Sequence, residues 1–144
     1  MANSESCDFS KWTLSPESFA NGFESMFVGD PEDTSAHLER LFAPTYTQEV
    51  DGKVLNYSEF VDHIRHLRKV TTAVKVKVNQ FLRDGNQLAE RHTVRVEFSN
   101  KPPSEFDVFL FGTVQEDGRM LCVVETTRQT EGHGEDRNLG KASS

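Results

Sequence analysis

Residues 87–99 read QLAERHTVRVEFS, and the alternation within this stretch decides the fold class. Leu88, Val94, Val96 and Phe98 at even positions are apolar, whereas Arg91, Thr93, Arg95 and Glu97 at odd positions are polar. A period of two belongs to a half-buried β-strand, whose successive side chains point to opposite faces of a sheet. The even face is therefore the inner one. Glu90 and His92 lie on it, two polar residues in an otherwise apolar row.

Working outward, similar strands are expected near residues 70–82, 105–116 and 119–130. Their connections, Asp84-Gly85-Asn86, Lys101-Pro102-Pro103 and Asp117-Gly118, all carry turn chemistry. A tight Pro-Pro turn would set Phe98 opposite Phe106, and hence His92 opposite Gly112, whose missing side chain leaves room beside an imidazole. A two-residue loop at Asp117-Gly118 sets Gly112 against Val123 and Leu110 against Glu125. Glu125 then shares the inner face with His92, two strands away. A three-residue loop at Asp84-Gly85-Asn86 brings Val74, Val76 and Val78 to the same face and leaves Lys75 and Lys77 outside. A one-residue slip would turn Glu125 outward, so the reading depends on the turns.

Before the strands the period is helical. Ser15-Pro16-Glu17 joins an N-cap, a proline suited to the first turn and an acid that complements the helix dipole. Phe19, Phe23, Met26 and Phe27 follow at helical spacing as far as Gly29. Asp30-Pro31-Glu32 starts a second helix with Leu38, Leu41 and Phe42 on its buried face. Tyr46 to Leu55 is a hairpin turning at Asp51-Gly52. Asn56 caps a third helix that presents Tyr57, Phe60, Ile64 and Leu67. Three helices followed by an antiparallel meander make an α+β domain, with the helices gathered on one face of the sheet. The domain is expected over residues 13–132. Residues 1–12 and 133–144 are polar and without period, and read as flexible termini.

Composition narrows the function classes. The 144 residues carry a formal charge of −7, which disfavours a phosphate backbone as partner, so no nucleic acid is expected. The densest basic run, His63 to Lys69, ends a helix, where its dipole favours cations. No apolar run approaches the roughly 18 residues of a membrane helix, and the acidic start MANSESCDFSKW is unlike a signal peptide. The expectation is a cytoplasmic protein with no membrane partner. Cys7 and Cys122 give neither a disulfide framework nor a CxxC metal motif, so no metal site is indicated.

A buried carboxyl is costly unless it is paired, so an inward Glu needs a reason. His92 and Glu125 converging within a wall of Val, Leu and Phe describe a polar centre in an apolar pocket, either functional or a structural ion pair. His63 lies about 80° from the centre of its helix's apolar stripe, close enough to reach inward. Tyr46 and Gln48 share one face of the first hairpin and are expected at the pocket mouth.

Three stretches, DGKVLNYSEFVDHIRHLR (51–68), DGNQLAERHTV (84–94) and DGRMLCVVETTRQTEG (117–132), carry a resemblance over most of residues 15–132. The chain resembles SnoaL-like proteins of the nuclear transport factor 2-like (NTF2-like) superfamily. The resemblance implies a cone-like fold in which a bent sheet and a helical layer enclose a deep apolar cavity. It also implies frequent dimers through the outer sheet face, and cofactor-free acid–base chemistry using Asp, Glu and His. The family-like positions are His63 in VDHI, His92 in ERHTV and Glu125 in VETTR.

Two functions follow as expectations. One is a cofactor-independent isomerase, cyclase or dehydratase acting on an apolar oxygenated molecule, polyketide- or terpenoid-like, of secondary metabolism. His92, Glu125 and His63 would supply acid and base, and Tyr46, Gln48, Tyr57, Glu90 and Gly112 would shape the substrate site. The other is a non-catalytic module that binds a small hydrophobic ligand or assembles as a homodimer. Outward Phe109 and Phe111 on the strand 105–116 suggest such an interface.

Overall fold

The computed structural model describes residues 9–132. Helix α1 (Pro16–Phe27) opens with a reciprocal capping box, in which the Ser18 amide donates to Ser15 Oγ at 3.1 Å and the Ser15 amide to Ser18 Oγ at 3.2 Å. Asp30 caps a short 3₁₀ turn, Pro31–Asp33, that leads into α2 (Thr34–Leu38). A second capping box, Asn56 with Glu59, starts α3 (Tyr57–Val70), which buries Phe60, Ile64, Leu67 and also His63 and Arg68. The Arg68 guanidinium reaches the end of α1 and donates to the carbonyls of Ser25, Met26 and Asp30 at 3.0, 2.8 and 3.0 Å. It thereby satisfies acceptors that a helix C-terminus leaves open.

The strands are β1 (Phe42–Val50), β2 (Lys53–Leu55), β3 (Thr71–Asp84), β4 (Gln87–Phe98), β5 (Ser104–Val114) and β6 (Met120–Glu131). They form one sheet in the order β2-β1-β6-β5-β4-β3. The expected antiparallel meander runs from β3 to β6. The sheet as a whole is mixed, because β1 pairs with β6 in parallel. The β1–β2 hairpin turns at Asp51-Gly52 as expected, both residues at positive φ of 50° and 86°.

The β4–β5 register differs from expectation. Ser104 pairs with Val96 and Phe106 with Val94, so residues 97–103 make a longer connection than a tight Pro-Pro turn. His92 therefore faces Val108, and Leu88 faces Gly112. The displacement is an even number of residues, so every side chain keeps its face. Between β3 and β4 the turn is the two residues Gly85-Asn86, and a bulge between Val78 and Gln80 restores the expected partners Val74↔Val96, Val76↔Val94 and Val78↔His92. Between β5 and β6 the pairs Gly112↔Val123 and Leu110↔Glu125 stand as expected. Their connection spans Gln115–Arg119, and a register shift beside Val114 absorbs its extra length.

The N-terminal boundary is a correction. Phe9–Lys11 form a 3₁₀ turn, Trp12 and Thr13 are buried, and the Trp12 ring stacks on Phe19 with 5.2 Å between centroids. Two aromatics, Phe9 and Trp12, inside a polar run give no periodic signal. Residues 1–8, with Cys7, and 133–144 lie outside the described residues. Gly22 of α1 leaves the space the indole occupies, since a Cβ there would stand 2.6 Å from the Trp12 ring. No helix of the described residues is long and apolar enough to cross a membrane.

Candidate active site

The helices do not fill the concave face of the sheet. A cavity of about 100 Å³ remains, walled mainly by aromatic and aliphatic side chains, among them Phe19, Phe23, Phe42, Phe60, Val108 and Leu110. The polar residues on its wall are Tyr46, Gln48, His63, Thr71, Glu125 and Thr127.

Pairing between β1 and β6 gathers most of these. Gln48 lies beside Val123 and Val50 beside Glu125, which brings the inner face of β1 alongside that of β6. Tyr46 is fully enclosed between Phe42 and Phe60, at 4.5 and 4.8 Å between centroids, and its hydroxyl donates to Gln48 Oε1 at 3.0 Å. Burial, with the Glu125 carboxylate second, holds this phenol far above its usual ionisation range. The Asp51 carboxylate accepts from the Thr127 amide at 2.9 Å and from the Thr127 hydroxyl, tying the hairpin turn to β6.

Glu125 is half-buried, with Leu110 and Val50 as its strand neighbours. Its carboxyl makes no hydrogen bond to another side chain or amide among the described residues. Burial foremost, then the charges of Glu90 and Asp51, push it up to about 8. At neutral pH Glu125 is thus mainly a protonated acid, a donor facing apolar space.

The other predicted site residues divide. His63 is buried on α3 and lines the cavity, as do Tyr46 and Gln48. His92 is fully buried on the inner face, as expected, yet it does not reach the cavity. Its Nδ1 lies 2.6 Å from Glu90 Oε2, and Phe23 of α1 sets its edge against the imidazole at 4.6 Å between centroids. His92 Nε2 and Glu90 Oε1 are both buried without a partner. Burial raises the Glu90 carboxyl, and the bond to His92 offsets part of that. Helix α1 is held over β3 and β4, where Glu24 accepts from the Val76 amide at 2.7 Å, and its phenylalanines seal the pair off.

Three residues expected at the substrate site do not line this cavity. Glu90 binds His92 rather than the cavity. Gly112 stands opposite Leu88 and makes room for Met120, whose sulfur would lie 2.7 Å from a Cβ there. The Tyr57 hydroxyl is buried without a partner away from the cavity wall, its ionisation raised by burial and then by Glu39. Thr127 and Trp12 line the cavity and were not anticipated. Thr127 shares its alternation parity with Glu125, so the pattern that found one could have found the other. Among the described residues no group of three or more His, Cys, Asp and Glu side chains is placed to hold a metal ion.

No protein-family model matches the sequence. An uncharacterized protein of Schizosaccharomyces pombe is 31% identical over 124 residues, covering 86% of this chain and 94% of that protein. Among solved structures, an NTF2-like protein of unknown function from Exiguobacterium sp. 255-15 superposes with a TM-score of 0.60 at 12% identity, over 76% of this chain and 94% of that one. IdmH, a candidate polyketide cyclase from Streptomyces antibioticus, gives a TM-score of 0.58 at 16% identity, over 78% and 91%. An epoxide hydrolase of LEH-like type from M. tuberculosis gives 0.60 at 13% identity, over 83% and 84%.

Proposed function

The chain belongs to one family with the fission-yeast protein and has an NTF2-like fold, and from the site built on this fold we propose a cofactor-independent acid–base catalyst of the isomerase, cyclase or dehydratase kind. The observation that carries the proposal is a Glu125 carboxyl that bonds to no described side chain or amide, on the wall of an apolar cavity that also presents His63, Tyr46 and Gln48. The substrate is an uncharged, apolar, oxygenated small molecule.

In this reading His63 removes a proton from the carbon next to a carbonyl. Glu125 donates its proton to the carbonyl oxygen, so the substrate passes to an uncharged enol while the imidazolium of His63 and the carboxylate of Glu125 carry the opposite charges. Where the ketone carries a β,γ double bond, the enol is a dienol, and return of the proton from His63 to its γ carbon, with the enol proton going back to Glu125, completes an isomerisation and restores both groups. The Tyr46–Gln48 pair orients the oxygen. The fold neighbours, a candidate cyclase and an epoxide hydrolase among them, support the capacity of this architecture for such chemistry. Deuterium uptake next to the carbonyl of a small ketone in heavy water measures the first step. Loss of about 10²–10⁴ in rate is expected in Glu125→Gln and in His63→Ala. Two variants that bind and exchange at the wild-type rate would end the proposal.

A second role rests on the outer face. Phe109, Phe111, Leu82 and Val124 are 43%, 69%, 71% and 51% exposed, and Ala89, Phe111 and Val124 are neighbours across adjacent strands. Asp107 and Arg128 pair at 2.7 Å beside them, so the charges next to the apolar row neutralise one another. We propose that a second copy of the chain covers it. Light scattering with size-exclusion tests this, and a monomer at high concentration counts against it.

A further inference from the structure

The cavity is tight as well as apolar. At about 100 Å³ it is smaller than an apolar protein cavity of about 150 Å³ that takes up a single benzene ring. Its walls give little room for growth. Phe42 packs on Tyr46 and Phe60 at 4.5 and 4.8 Å, Trp12 stacks on Phe19, and these rings lie in the main core. Widening the space would mean moving close-packed rings together.

Charge restricts the occupant further. The polar wall residues cluster along β1 and β6, where Gln48 and Glu125 stand, and the described lining residues include neither Lys nor Arg. An anionic ligand would meet the Glu125 carboxyl, with His63 the one described lining side chain able to take a positive charge and neither guanidinium nor ammonium beside it, in surroundings where unpaired charge is costly. A pure hydrocarbon would leave the donors of that end unused.

Resting on the acid–base reading above, we infer that the ligand is an uncharged molecule of about one ring, carrying an acceptor oxygen that points to Glu125 and Gln48, and that fused polycyclic molecules are excluded. The carbon skeleton lies against Phe23, Phe60 and Val108.

The test is a titration of the whole chain followed by the methyl NMR signals of Ile64, Leu67 and Leu110, with four probes. Methylcyclohexanone is expected to shift these signals saturably. Methylcyclohexane, lacking the oxygen, is expected to bind about tenfold more weakly, the ratio given by about 1.4 kcal/mol of lost hydrogen bonding. Cyclohexanecarboxylate at neutral pH and the four-ring ketone androstanone are expected to shift none of them. Saturable binding of androstanone, binding of the carboxylate equal to the ketone, equal binding of the hydrocarbon, or silence with methylcyclohexanone would each overturn the inference. If methylcyclohexanone binds as expected but its hydrogens fail to exchange in heavy water, the ligand class stands and the catalytic reading falls.

Discussion

His92 and Glu90 hold one another at 2.6 Å on the inner face of β4, and Phe23 closes the space between that pair and the cavity. Two polar side chains so placed serve the core. Removing one of them strands the other in apolar surroundings, which costs about 3–5 kcal/mol. His92→Ala is therefore expected to lower stability by about that amount in chemical denaturation, while the folded fraction still binds cavity ligands. Lost binding in a fully folded variant would return His92 to the site.

Glu125 should have the opposite effect on stability. Its carboxyl rises from 4.5 to about 8 on folding. Between those values the folded chain keeps a proton that the unfolded chain has released, so stability falls as pH climbs through the window. Below about 4.5 both states are protonated and the penalty vanishes. Glutamine cannot ionise. Glu125→Gln should melt above the wild type at pH 8 and beyond, with the gap closing toward pH 5, in thermal unfolding across a pH series. Parallel curves would mean that the carboxyl is solvated.

Arg68 is a clamp between helices. Its guanidinium donates to the Ser25 and Met26 carbonyls at the end of α1 and to the Asp30 carbonyl just beyond it, and the residue is 7% exposed. Arg68→Met keeps much of the stem and removes every donor, so a loss of about 3 kcal/mol is expected, since bonds to charged groups contribute about 1.5–3 each and water can reach part of the site. Denaturant midpoints measure it, and a loss below that of an ordinary surface change would show that the carbonyls find other donors.

Gly22→Ala inverts a common rule. Alanine in a helix interior normally gains about 1 kcal/mol over glycine. Here the new methyl would stand 2.6 Å from the Trp12 ring, which is itself stacked on Phe19. The variant should melt lower than the wild type, and emission of the single tryptophan should shift to longer wavelength as the indole is displaced. A more stable protein with unchanged emission would contradict the packing.

The inner and outer faces were legible in the sequence because parity survives an even register error. Phe106 moved from Phe98 to Val94 without turning a side chain over. Which inner residues reach open space was not legible. Alternation places Glu90, His92 and Glu125 on one face, but the reach of Phe19 and Phe23 from α1 decides that only Glu125 touches the cavity. Gly112 was misplaced by the assumption of a tight turn before Ser104. The β1–β6 pairing had no local signal either, since nothing within YTQEVDGKVL names its partner.

That pairing also sets an order of assembly. Tyr46 and Gln48 emerge early in the chain, whereas Glu125 and Thr127 belong to the last described strand. Contacts so distant in sequence carry a large loop-closure cost and form late in folding. On a ribosome, the helices and the first hairpin are complete long before the acid that faces them exists. Until β6 docks, one side of β1 lacks its partner strand, and such an open strand is where a nascent chain is most prone to pair with the wrong neighbour.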